Sequence, residues 1–166
     1  MRWFWIDHII EHQPEQRMVA VKNVSRAEGY LHDYLVGTTP VMPFSLLIEG
    51  MAQTAGILVG TMSGFKEKVI LAKIAKASLE EDVVPGDTVR FDASLDQLSA
   101  SGAATSGVID CRRPGSDAWK RIGRVELVFS HIDRNMSGTE FPEENFVFCD
   151  NFRLLLETAG LAELIA

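Results

Sequence analysis

The sequence predicts an α+β fold, a curved antiparallel sheet wrapped round one long central helix, on two observations. Over 88–96, Val89, Phe91, Ala93 and Leu95 alternate with Thr88, Arg90, Asp92, Ser94 and Asp96. Over 122–131, Val125, Leu127 and Phe129 alternate with Arg124, Glu126 and Ser130, so each segment is a strand with one buried and one wet face. Residues 44–65, by contrast, carry a single charge, Glu49, and a helix that is apolar nearly all round must be covered by such a sheet.

The elements follow in order. Segments 3–11 and 17–25 read as strands joined by a hairpin loop at 12–16, which contains Pro14. His8 alternates with Asp7 on the first of these and reads as a sheet residue. The helix begins near Pro43, a residue tolerated in a first turn, and sets Leu46, Leu47, Gly50 and Met51, then Thr54, Ile57 and Leu58, at helical spacing. Glu49 and Gln53 lie one turn apart on a shared face. Four strands follow at 69–77, 88–96, 103–111 and 122–131, with turns at 84–87 and 113–117 marked by Pro85-Gly86 and Pro114-Gly115. Residues 1–136 form one domain. The run Ser137-Gly138-Thr139-Glu140 then opens a linker, and 137–166 ends in an amphipathic helix with Phe152, Leu155, Leu156 and Ala159 on one face.

Composition bounds the function. A chain of 166 residues with 46% hydrophobic and 23% charged side chains is a single globular domain. Its 23 acidic against 16 basic residues leave a net charge of −7, which repels phosphate backbones and argues against nucleic acid. Two cysteines, Cys111 and Cys149, make neither a disulfide framework nor a metal cluster, so a reducing cytoplasm, no metal and no cofactor are expected. Glu49, Gln53, Thr54 and the glycines of 44–65 favour a buried helix over a membrane span, and Asp7 and His8 interrupt the N-terminus too early for a targeting segment. One short sheet covers only part of so apolar a helix, which predicts a twofold homodimer, or an assembly of such dimers.

The run Pro40-Val41-Met42-Pro43, followed by Leu46-Leu47-Ile48-Glu49-Gly50-Met51-Ala52-Gln53, resembles the hotdog-fold β-hydroxyacyl-acyl-carrier-protein dehydratases of fatty-acid synthesis. Phe4-Trp5-Ile6-Asp7 and Arg17 to Val24 resemble that family's first hairpin, and Val83-Val84-Pro85-Gly86-Asp87 its later sheet entry. The resemblance covers 3–131 in order and implies a hotdog fold, a 3-hydroxyacyl thioester substrate carried on acyl carrier protein or coenzyme A, and an acyl tunnel along the central helix at the subunit interface. It assigns Glu49 as the acid that protonates the leaving hydroxyl at C3, acting from the partner's helix, and a histidine as the base at C2. Gln53, Gly37, Val41, Met42, Pro43 and Phe44 are implied to bind substrate, with backbone N–H groups at the helix start holding the thioester oxygen. Apolar surroundings favour a neutral carboxyl, which suits a proton donor.

The family's histidine stands in an H-F-P-G run before P-V-M-P, where an ungapped match places Leu35. The family's next glycine, after P-V-M-P, is Phe44 here. Three readings stay open. His32, three residues upstream, serves as base beside Asp33; or Glu49 instead activates water for thioester hydrolysis; or the protein binds acyl thioesters without catalysis. Lys66, Lys68, Lys73 and Lys76, with Arg112, Arg113, Lys120 and Arg121, are candidates to receive an acidic carrier protein, or are simply a solvated surface. Residues 137–166 are expected to pack over a tunnel end or a sheet edge.

Overall fold

A computed structural model describes residues 4–31, 39–132, 147–148 and 150–165. Its elements are β1 (His8–Gln13), β2 (Arg17–Asn23), α1 (Phe44–Thr61), β3 (Val69–Leu79), β4 (Thr88–Ser99), β5 (Gly102–Arg112), β6 (Lys120–His131) and α2 (Asp150–Thr158). Single 3-10 turns lie at Gly29–Leu31 and Ala162–Ile165. The six strands form one antiparallel sheet in the order β1-β2-β4-β5-β6-β3. The chain crosses from β2 through α1 to the far edge, β3, and then fills the middle. Register shifts interrupt four of the five pairings, and such bulges sharpen the strand twist that lets a sheet curve round a helix.

The inner face buries Val89, Phe91 and Ala93 of β4, Ile109 and Cys111 of β5, and Ile122, Val125, Leu127 and Phe129 of β6. Against them α1 lays Leu47, Met51, Ala55, Ile57 and Leu58. By length and composition α1 could cross a membrane, yet 67% of it is buried within the fold. Helix and sheet interlock at two glycines. A Cβ on Gly50 would stand 2.6 Å from Phe91 Cε2, and one on Gly107 of β5 would collide with the Met51 thioether. Each side gives up a side chain where the other inserts one, which brings backbone and ring into contact at interior packing density.

Several details depart from the sequence expectation, among them β2, which stops at Asn23 rather than 25, and β1, which runs to Gln13. The first strand begins at His8 rather than within 3–11 from its start, because the backbone of Phe4–Ile6 turns toward α1, where the Trp5 N–H donates to Gln53 Oε1 at 2.9 Å. Pro43 is the N-cap of α1 rather than a residue of its first turn, with an extended ψ of 138°. Its carbonyl accepts from the N–H groups of Leu46 and Leu47. Finally, β3 and β4 run on to Leu79 and Ser99, past the segments in which alternation is legible.

Turns are tied by polar side chains. In the Pro85-Gly86 turn Gly86 has φ 103°, the left-handed value such a turn requires at its third position. Asp87, 1% exposed, accepts the Val84 N–H at 2.8 Å and pairs with Arg113. On the outer face Arg17 clasps Asp92 with two N–H groups at 2.7 and 2.9 Å, joining β2 to β4.

Candidate active site

Helical spacing brings Glu49, Ala52, Gln53, Gly56 and Ile57 onto one stripe of α1, and that stripe floors a cavity of about 390 Å³. Val69, Ile70 and Leu71 of β3, Phe129 of β6, and Phe4, Val147, Phe148 and Phe152 complete its lining. The volume is near the small end of the range for small-molecule sites, about 300–1,000 Å³.

Glu49 is the carboxylate in this lining, and its orientation is built in. Gln53, 7% exposed, donates from Nε2 to Glu49 Oε1 at 3.0 Å. The Gln53 amide is itself oriented, since its Oε1 accepts the Trp5 N–H. A backbone N–H from the entering chain therefore fixes the amide, and the amide fixes the carboxyl. The neutral amide restrains the carboxyl at the cavity lining.

The other expected site residues are placed differently. Val41, Met42, Pro43 and Phe44 lead into α1 and do not line the cavity. Met42 belongs to the core at 2% exposed, with its N–H donating to Val83 O at 2.8 Å, while Val41, Pro43 and Phe44 are half-buried. They lie at the helix start, about 8 Å along the axis from Glu49 by helical rise. His32 and Gly37, with Leu35, fall outside the described residues, as does Cys149.

The basic residues divide. Lys66, Lys73 and Lys76 are exposed, but Lys68 is buried, 6% exposed. Arg113 pairs with Glu81 and Asp87, Lys120 with Glu81, and Arg121 lies 3.7 Å from Asp110. Arg90 and Arg112 stack over Trp119 at 4.6 and 4.9 Å. The second half of the expected basic patch is thus largely neutralised by acids distant in sequence. Cys111 is a free, buried thiol pushed up to about 11, by burial first and then by the charge of Asp87, which disfavours the thiolate form.

Phe4, Phe129, Phe148 and Phe152 were not among the expected site residues. Phe152 was legible only as part of an amphipathic face, and nothing local in the sequence tells what such a face covers.

The sheet order and the helix it encloses define the hotdog fold, and solved structures share it. The ApeI:P dehydratase heterocomplex of Xenorhabdus doucetiae superposes with a TM-score of 0.62 at 15% identity, over 80% of this chain and 86% of that one. An acyl-CoA hydrolase mutant of Staphylococcus aureus in complex with coenzyme A gives 0.58 at 14% identity, over 95% and 93%. The FabA-like domain family profile matches residues 3–113, and the chain belongs to that family. Its relatives include a 3-hydroxyacyl-[acyl-carrier-protein] dehydratase FabZ of Clostridium tetani, 35% identical over 125 residues, which are 75% of this chain and 83% of the relative. The FabZ of Solibacter usitatus is 38% identical over 109 residues, 62% and 64% of the two chains.

Proposed function

We propose that the protein is a 3-hydroxyacyl thioester dehydratase of fatty-acid metabolism, a hydro-lyase acting on substrate carried by acyl carrier protein or coenzyme A. The observation that carries this reading is the carboxyl of Glu49 in an apolar cavity on the central helix, oriented by Gln53. In the reaction a base removes a proton from C2, the C2–C3 double bond forms, and the C3–O bond breaks as Glu49 delivers its proton to the departing hydroxyl. Water leaves, and a proton moves back from the base to the carboxylate. N–H groups opening α1 at Phe44 are suited to the thioester oxygen as charge gathers there, since a helix start carries donors without intrahelical partners. His32 is the base in this account, and Gly37 a substrate-binding residue.

The working unit we propose is a homodimer in the cytoplasm. β3 supports the dimer: it is an edge strand with Leu71 and Ile74 exposed, 37% and 46%, and an unpaired edge with apolar side chains invites a second strand. The free Cys111 thiol supports a reducing compartment. Exposed Lys66, Lys73 and Lys76 supply positive charge for an acidic carrier.

The test is to incubate the purified protein with a 3-hydroxyacyl thioester and follow 2-enoyl product and free thiol together. Enoyl formation without thiol release supports the dehydratase. Thiol release without enoyl product makes it a hydrolase, and binding with neither makes it an acyl-thioester-binding protein. His32→Ala abolishes turnover on this account; an unchanged rate removes His32 from the mechanism.

A further inference from the structure

We infer that the C-terminal segment sets the length of acyl chain this cavity accepts, through an aromatic wall of Phe148 and Phe152. The inference rests on reading the cavity as an acyl site, and it concerns residues beyond the stretch that the family profile matches.

Four rings form a continuous row. Phe65 meets Phe148 edge-on with centroids 4.8 Å apart, Phe148 meets Phe152 at 5.8 Å, and Phe152 meets Phe4 at 4.8 Å. The row runs from the C-terminal end of α1 back to Phe4, next to the Trp5 whose N–H Gln53 accepts. Phe4, Phe148 and Phe152 of the row line the cavity together with Val69, Ile70 and Leu71 of β3.

The row also stops the cavity along the helix. The stripe continues by one more turn to Gly60, which does not line the cavity, because rings occupy its place. A Cβ at Gly60 would lie 2.7 Å from Phe148 Cζ and 2.8 Å from Phe65 Cδ1. Gly60 is a notch that seats both rings on the helix backbone. Phe65 holds its side of the notch from a left-handed backbone, φ 59°, a conformation uncommon outside glycine. From Glu49 to Gly60 the helix rises about 16 Å, so the distance from the reacting carbons to the wall is bounded by the fold. Leu155 and Leu156, 6% and 1% exposed, anchor α2 to the core and hold the wall in place.

The test measures kcat/KM for 3-hydroxybutanoyl, 3-hydroxyoctanoyl and 3-hydroxydodecanoyl coenzyme A. It also measures calorimetric affinity for the matching saturated acyl-coenzyme A thioethers, which cannot react. Phe152→Ala and Phe148→Ala raise the long-to-short ratio by about tenfold or more in both readouts, because a pocket discriminates each added methylene. Phe152→Trp lowers the ratio, and it carries the test if the alanine variants fail to fold. Leu154→Ala, exposed on the same helix at 54%, leaves the ratio as it was. Ratios unchanged in the Phe148 and Phe152 variants, a uniform loss at every length, or thioethers that bind no protein at all overturn the inference. If nothing is dehydrated yet thioether affinities shift with length as stated, the wall stands and the dehydratase reading fails; normal turnover with unshifted ratios does the reverse.

Discussion

Gln53 joins two parts of the chain at the site, accepting the Trp5 N–H at 2.9 Å and donating to Glu49 Oε1 at 3.0 Å. On the proposed reading its amide positions the carboxyl, and Gln53→Met removes both bonds. The expected result is a kcat about 10–100-fold lower with KM little changed, since misplacing a catalytic group costs the transition state more than binding. A buried Trp5 N–H without its acceptor also lowers unfolding free energy by about 1–3 kcal/mol in urea titration. A fall in stability with kcat intact would make Gln53 structural only.

The contact of Gly50 with Phe91 predicts how closely α1 must approach the sheet. Gly50→Ala places a methyl in the ring and destabilises by about 1–3 kcal/mol. Phe91→Ala alone costs about 3–5 kcal/mol through the cavity it leaves. Because the two share one space, the double variant is more stable than the sum of the singles indicates, which a urea-denaturation cycle measures.

Cys111 carries a pH signature. Burial and Asp87 raise its thiol from an ordinary 9.0 to about 11, so the folded protein holds this proton where the unfolded chain releases it. The unfolded state then binds fewer protons, and the stability contributed by this group is present below 9.0 and falls as pH rises from there toward 11. Cys111→Ala shows a shallower alkaline loss of stability. In peptide mapping at pH 8, the native Cys111 resists iodoacetamide and reacts after unfolding.

The exposed β3 edge predicts the assembly. Sedimentation equilibrium gives twice the 18.4 kDa chain mass, and Ile74→Asp shifts it toward the single chain. A native protein that sediments at one chain mass would contradict the dimer.

The sheet was legible in β4 and β6, where Val89-Phe91-Ala93 and Val125-Leu127-Phe129 alternate with more exposed residues and record burial residue by residue. The central helix was legible through its lone Glu49. What escaped were relations between distant segments. No local pattern tells that Phe4 touches Phe152, or that Arg113 and Lys120 meet acids at Glu81 and Asp87. The start of the first strand is not legible because Phe4–Ile6 is apolar for packing in the core rather than for strand pairing.

The most direct test of the account replaces Glu49 with glutamine, which keeps the shape and hydrogen-bonding reach of the side chain but removes the transferable proton. The account predicts that Glu49→Gln dehydrates 3-hydroxyoctanoyl coenzyme A about 10²–10⁴-fold more slowly while binding the saturated octanoyl thioether as the parent does. A Glu49→Gln protein that forms enoyl product at the parental rate would contradict it.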